Sequence, residues 1–179
     1  MLIALLLAAA APTAPITVYR KSGSEAPAPQ RSPQGGLPRF EFRSVHAGDP
    51  MPRRGPFGCP TTKSGDRMCL EADFQVAGVQ ASRAATVYNS SGLTALMFSV
   101  SRSDAPTLLS ALQVKYGKPC KTDTASVQNG YGATFQRDSF QWCFSDGVAI
   151  FRSLGSKIDE ADFYFTTEVD QPKGAIIDF

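Results

Sequence analysis

The chain has 179 residues, of which 42% are hydrophobic and 19% charged, and its formal net charge is +2, an ordinary composition for one globular domain. The charge is uneven: residues 15 to 56 carry seven Lys or Arg and three acids, a net +4, whereas the rest of the chain has a net −2. These basic residues are scattered with few aromatic residues among them, which argues against nucleic-acid binding. A solvated arm and an arm lying on anionic lipid headgroups both fit the pattern.

The first eleven residues read MLIALLLAAAA. This apolar run is too short to span a bilayer but has the length of the apolar core of a secretory signal. Ala8 and Ala10 provide an A-x-A cleavage site. Residues 1–10 are therefore predicted to be a signal peptide, and the mature chain is expected to be periplasmic or extracellular, with no transmembrane span.

Residues 11–38 are rich in Pro, Ser, Gln, Gly and Ala. Such a composition cannot bury enough apolar surface to offset the entropy of ordering the chain. We predict a disordered Pro/Ser/Gly-rich tether here, followed by a single domain over residues 39–179.

The chain has four cysteines, Cys59, Cys69, Cys120 and Cys143. An even count in a small chain suits an oxidising compartment. Since short loops close at the least entropy cost, the expected disulfides are Cys59–Cys69 and Cys120–Cys143. There is no C-x-x-C pair for redox chemistry. The only histidine, His46, lies far in sequence from every cysteine, so neither a metal site nor a cofactor is predicted.

One helix is predicted after Ser103 or Asp104. It has Pro106 in its first turn, an apolar face, and Gly117 and Pro119 at its end. The face comprises Leu108, Leu109, Leu112 and Tyr116.

The other segments read as strands. They are residues 74–79, 85–88, 93–100, 134–136, 140–145, 148–152 and 158–169, and residues 39–45 form either a first strand or a segment docked at the domain edge. Asp146-Gly147 is a hairpin-turn signal. The predicted fold class is α+β: an antiparallel sheet of about five to seven strands with one main helix packed on one face and two disulfides.

The expected Cys120–Cys143 bridge predicts which way the sheet faces. Cys120 closely follows the helix end, so Cys143 is expected to point to the helical side and its neighbours to the other side. A two-residue turn at Asp146-Gly147 would place Trp142 opposite Phe151. The helix-free face would then carry the candidate binding residues Phe140, Trp142, Phe144 and Phe151 and would be open to a protein partner. Alternatively, Phe40 and Phe42 fold over this face as ordinary core.

The predicted helix is followed by antiparallel strands, and a disulfide is expected to join the helix end to one strand. The segments concerned are Tyr116-Gly117-Lys118-Pro119-Cys120 and Phe140-Gln141-Trp142-Cys143-Phe144. Over residues 103 to 169 this layout resembles the half-repeat of β-lactamase-inhibitor-protein-like domains, although one helix is seen rather than two repeated units. The chain is also similar to uncharacterised exported bacterial domains. The first resemblance implies that an aromatic sheet face grips a partner protein.

No catalytic residue is predicted, because a serine hydrolase would need a G-x-S-x-G motif and a histidine base, and His46 lies in a loop-like stretch. The expected function is an exported, non-enzymatic domain for binding or structural association. The alternative is a small cell-envelope hydrolase with unidentified carboxylate catalysts, for which Asp159, Glu160, Asp162 and Glu168 are the available acids.

Overall fold

The structure is a computed structural model that describes residues 17–18, 36–52 and 58–168. The predicted signal peptide, most of the predicted tether and residues 169–179 lie outside the described residues, so those predictions stand as they were made. Within the tether range, Thr17–Val18 form a two-residue strand, β1, that pairs with residues 127 and 128.

One large antiparallel sheet dominates the described residues, and every strand pair in it is antiparallel. Its spatial order is β1-β8-β9-β10-β11-β7-β6-β4, and β5 pairs with β6 beside this path. Besides β1, its strands are β4 Arg67–Leu70, β5 Gln75–Val76, β6 Val79–Asn89, β7 Gly92–Ser101, β8 Lys121–Gln128, β9 Thr134–Phe144, β10 Gly147–Arg152 and β11 Glu160–Thr166. A separate two-stranded ribbon joins β2 Glu41–Phe42 to β3 Val45–His46.

The α+β class and both disulfides are confirmed, as is one main helix among the described residues. The sheet is wider than the predicted five to seven strands, because Arg67–Leu70 and Lys121–Gln128 also join it. Helix α1 spans Ala105–Tyr116 after a 3-10 turn at Arg102–Asp104, and it ends at Gly117 as predicted. Among the described residues, no helix is long and apolar enough to cross a membrane.

The predicted register of the β9–β10 hairpin is wrong by two residues. The turn residues are Ser145 and Asp146, and Gly147 already pairs with Phe144 as the first residue of β10. Gly147 is therefore not a turn residue. It lies where β11 approaches closely, and a side chain there would collide with the ring of Phe165 and the backbone of Thr166. Phe140 therefore lies opposite Phe151, and Trp142 opposite Ala149.

The predicted strand over residues 74–79 is in fact a hairpin. Val76 pairs with Val79 across a two-residue turn, Ala77 and Gly78, in which both residues have positive φ. This is the backbone pattern of a type I′ turn, which matches the twist of the paired strands.

The core lies between the sheet and a second layer made of α1 and residues 40–49. It joins Leu108 and Leu112 of the helix to aromatic side chains of five strands. A smaller cluster surrounds the Cys59–Cys69 bridge with Tyr88 and Leu93. We call the side of the sheet that faces α1 and residues 40–49 the covered face.

Candidate functional site

The four predicted binding residues do share one face of the sheet, but that face is the covered one. Trp142 is 2% exposed, Phe144 8% and Phe151 0%, and Phe140 is partly buried against the same core. The prediction that these side chains form an open, helix-free face is wrong. The alternative, that Phe40 and Phe42 fold over the aromatic residues, is right.

The path of the chain after the helix explains the error. Residues 117 to 119 carry the backbone from the helix layer down to the sheet, where the Cys120 amide donates a hydrogen bond to the Gln141 carbonyl. Cys120 thus lies at the level of the strands, beside β9, and its Sγ bonds Cys143 on the face away from the helix. A cysteine that closely follows a helix end therefore need not lie on the helical side.

Three contacts fix the covering layer on the sheet. The indole Nε1 of Trp142 donates a 2.9 Å hydrogen bond to the carbonyl of Gly117, at the helix end. The ring of Phe40 stacks on Phe165, with centroids 3.6 Å apart, and its amide donates to the Asp146 carboxylate at 2.8 Å. These aromatic side chains are therefore interior groups.

The opposite side of the sheet, which we call the helix-free face, has no helix over it within the described residues. Because side chains alternate along each strand, residues that pair directly across the strands form rows on this face. Two rows are largely apolar. They are Leu70, Ala85, Met97, Tyr164, Ile150 and Gln141, and Met68, Val87, Ala95, Thr166, Val148 and Cys143.

Most of these apolar side chains are only partly buried. Met97, Val148 and Ile150 all have intermediate exposure, and Leu70 at the sheet edge is 45% exposed. We define the apolar rows as these two sets of residues. They form a continuous apolar strip on the exposed side of the sheet.

A third row is polar and flanks the apolar rows. It contains Arg83, Ser99, Asp162, Arg152, Ser139 and Asp123. Arg83 is ion-paired with Glu160 at 2.6 Å, and Ser99 donates a 2.8 Å hydrogen bond to Asp162. The helix-free face thus has an apolar part, the two apolar rows, and a polar part whose side chains bond to each other.

Arg152 lies in the middle of this polar row, between Asp162 and Ser139, and Arg137 lies on the same face in β9. The guanidinium of Arg152 donates to the Tyr164 hydroxyl at 3.1 Å and lies 5.0 Å from the centroid of its ring. Burial lowers the pKa of Arg137, and the charge of Arg152 lowers it further against the opposing effects of Tyr164, Asp123 and Asp162. Within the described residues, the buried Nε of Arg137 has no hydrogen-bond acceptor.

Two of the four acids proposed for a hydrolase are engaged by neighbouring groups. Glu160 is buried and held by Arg83 and by Lys157, whose Nζ lies 3.4 Å from it. Asp162 accepts hydrogen bonds from the Ser99 hydroxyl and the Ser156 amide, and Gly155 leaves the room its carboxylate needs. Asp159 and Glu168 are exposed. Glu160, which is buried, and Asp162, which is partly buried, thus make structural contacts at the start of β11.

His46 lies in β3 and not in a loop, with 43% of its side chain exposed. Its ring nitrogens lie 3.9 Å from a Glu41 carboxylate oxygen and 3.6 Å from one of Asp49. Among the described residues, no group of three or more His, Cys, Asp or Glu side chains could hold a metal ion.

The described surface includes the following two cavities. One, of about 460 Å³, lies beside the β6–β7 turn and is lined by Met51, Asp66, Tyr88 and neighbouring residues. The other, of about 300 Å³, lies between α1 and the turns that follow Phe42 and Val76. Neither contains any of the four predicted binding residues.

Comparisons with protein-family models, with curated proteins and with solved structures find no match to this chain. The resemblance to β-lactamase-inhibitor-protein-like domains therefore stays a prediction.

Proposed function

We propose that the protein is an exported, non-enzymatic domain for structural association, and that it associates through the helix-free face with the same face of a second copy. The observation that carries this proposal is the pair of apolar rows, which leave Met97, Val148 and Ile150 partly exposed on one side of the sheet. Contiguous apolar surface of this kind marks interaction sites. The predicted binding function is retained, but its surface moves from the aromatic side chains to the opposite side of the sheet.

The charges on this face favour a second copy over a polyanion. It has four cationic side chains, Arg83, Arg137, Arg152 and Lys121, and three anionic ones, Asp123, Glu160 and Asp162. Charges of both signs in nearly equal number allow the surface to be complementary to itself, as a two-fold interface requires. A nucleic acid or an anionic membrane would need an excess of positive charge.

The geometry suits packing between two sheets. Sheets that stack face to face interdigitate their side chains across about 10 Å and bury alternate residues of each strand. Ile150 and Met97 lie on the helix-free face on either side of Tyr164, which pairs with each of them. The apolar rows would form the centre of the interface and the polar row its rim, which is the usual arrangement of a protein interface.

Export is supported by the two disulfides, Cys59–Cys69 and Cys120–Cys143. Such bonds persist in oxidising compartments and are reduced in the cytosol. The described residues contain no free cysteine. The predicted signal peptide at residues 1–10 also favours export.

The test is sedimentation equilibrium of the purified full chain. We expect a reversible dimer with a dissociation constant in roughly the micromolar range, typical of a modest interface. Ile150→Lys, in the middle of one apolar row, is expected to weaken the dimer at least about tenfold, as loss of an interface hot spot does. The matched control is Val114→Lys on α1, where the side chain is 85% exposed and outside the face.

A monomer at every concentration tested would overturn the proposal. So would equal weakening by the two variants, because the dimer would then form through another surface or respond only to added charge. Circular dichroism of both variants confirms that each is folded before the comparison is made.

A further inference from the structure

We propose that the 300 Å³ cavity beside α1 binds a small apolar molecule that carries one anionic group. This site is separate from the helix-free face, since the helix and the ribbon that form it lie on the other side of the sheet. Its size is at the lower end of the range found for small-molecule sites. The class of ligand follows from the side chains that line the cavity.

The inner wall of the cavity is apolar and its mouth is cationic. Phe42, Val76 and Leu112 provide the apolar wall, whereas Arg43 and Lys115 lie on opposite sides, one on the ribbon turn and one on the helix. The described lining residues include no carboxylate. A ligand with an apolar body and an anionic end would satisfy both parts of this lining.

The backbone at Arg43 gives independent support. Arg43 and Ser44 form the two-residue turn of the ribbon with φ of 51° and 63°, and Ala77 on the other side of the cavity has φ of 52°. Asn and Gly tolerate this conformation far better than Arg or Ala do. Strained residues gather at ligand sites, where side-chain function outweighs the local cost.

The Arg43 side chain has a definite position at the mouth. Its guanidinium carbon lies 5.0 Å from the centroid of the Phe74 ring, and that ring in turn stacks on Phe42, with centroids 6.1 Å apart. The cation thus lies over an aromatic ring beside the apolar wall, while Arg43 itself stays exposed to solvent.

The charges around the mouth include one competitor for the ligand. Glu41 lies 3.8 Å from Lys115 and is itself near His46, and both members of the Glu41–Lys115 pair are about half exposed. An exposed pair of this kind contributes little stability, so a ligand anion can share the Lys115 charge. Arg43 has no such ion pair among the described residues and is the main anion contact.

Octanoate is the probe, and octanol of the same chain length is its uncharged control. We expect octanoate, added to the full chain, to shift the NMR amide signals of Ala77 and Ala111, which line the cavity. Octanol is expected to bind at least about tenfold more weakly, the factor typical of a lost charge-assisted hydrogen bond.

Two variants in the same turn separate binding from folding. Arg43→Asn removes the cation but favours the turn, so we expect it to raise the urea midpoint and weaken octanoate binding about tenfold. Ser44→Asn favours the turn equally and lies outside the lining residues, so it is expected to raise the midpoint and leave binding unchanged. Lys115→Gln tests the second cation and is expected to weaken binding by a smaller factor.

The proposal is overturned if octanoate does not shift these amides, or if octanol binds as tightly. It is also overturned if Arg43→Asn and Ser44→Asn have the same effect on binding, because the turn and not the cation would then control the cavity. An unchanged affinity in both Arg43→Asn and Lys115→Gln would exclude an anion site.

Discussion

The Nε1 of Trp142 donates a 2.9 Å hydrogen bond to the carbonyl of Gly117, so the only tryptophan of the chain ties the sheet to the end of its only described helix. The ring lies 6.1 Å from that of Tyr116, the last residue of α1. The hydrogen bond to Gly117 decides whether Trp142 is a surface anchor or a core residue. It is a core residue, and the covered face is assembled around it.

Trp142→Ala is therefore expected to lower the free energy of unfolding by about 3–5 kcal/mol, the range for removing a buried aromatic side chain. Trp142→Phe keeps much of the volume but leaves the Gly117 carbonyl without its donor, so a smaller loss is expected. Equilibrium denaturation in urea measures both. A change below about 1 kcal/mol for Trp142→Ala would contradict a core position.

Asp146 is the second anchor of the covering layer. Asp146→Ala removes the acceptor of the Phe40 amide, and we expect a loss of about 1–3 kcal/mol and faster hydrogen exchange at that amide. The ion pair with Arg39 adds little, because 70% of the arginine side chain is exposed.

Asp159→Ala is the matched control for Asp146→Ala, since Asp159 is an exposed acid in the loop at the other end of β10. It is expected to change stability by less than about 0.5 kcal/mol. Equal effects of the two variants would show that Asp146 does not hold Phe40 in place.

The disulfides close loops of 10 and 23 residues. On the chain-entropy model each contributes about 3 kcal/mol, and the longer loop contributes slightly more. Replacing each pair with serine, one pair at a time, is expected to lower the free energy of unfolding by about that amount. If neither double variant differed from the wild type in urea denaturation, the bridges would not be stabilising elements.

Stability should fall in alkali because of three tyrosines, of which Tyr88 is buried and Tyr116 and Tyr164 are partly buried. Burial raises the pKa of Tyr116, Tyr88 and Tyr164 above the ordinary value of about 10. Their neutral forms favour the folded state, so this contribution is complete below pH of about 10 and is lost as the pH rises toward the folded-state values.

Urea midpoints measured from pH 8 to about pH 11.5 test this pH dependence. Tyr116→Phe is expected to flatten the alkaline fall, because Tyr116 has the largest upward pKa shift of the three. Tyr131→Phe, at a side chain that is 70% exposed, is the control and should leave the curve unchanged. The same alkaline fall in both variants would remove Tyr116 as its source.

The sequence was sufficient to predict the helix, the disulfide pairing and the fold class, because each rests on local signals. Pro106 and Gly117 delimit α1, and short loops favour the observed cysteine pairs. Alternation also placed Trp142 and Cys143 correctly on opposite faces. These features depend on neighbours in the chain.

The identity of the covered face could not be predicted, because it depends on contacts between distant residues. Asp146 accepts a hydrogen bond from Phe40, 106 residues away, and no local pattern encodes that pair. Strand β8 was missed because it is polar and largely exposed, with Val127 its only fully buried residue. The apolar rows were not predicted, because only the strand order joins Val148 and Ile150 to Val87 and Met97.

Methionine oxidation tests directly whether the protein associates through the helix-free face. Met97 and Met68 belong to the apolar rows, whereas Met51, which is 37% exposed, lies beside the other cavity and outside the face. We expect hydrogen peroxide to oxidise Met97 and Met68 more slowly at protein concentrations where the dimer forms, while the rate at Met51 stays constant. Equal rates at Met97 in the monomer and the dimer would contradict this prediction.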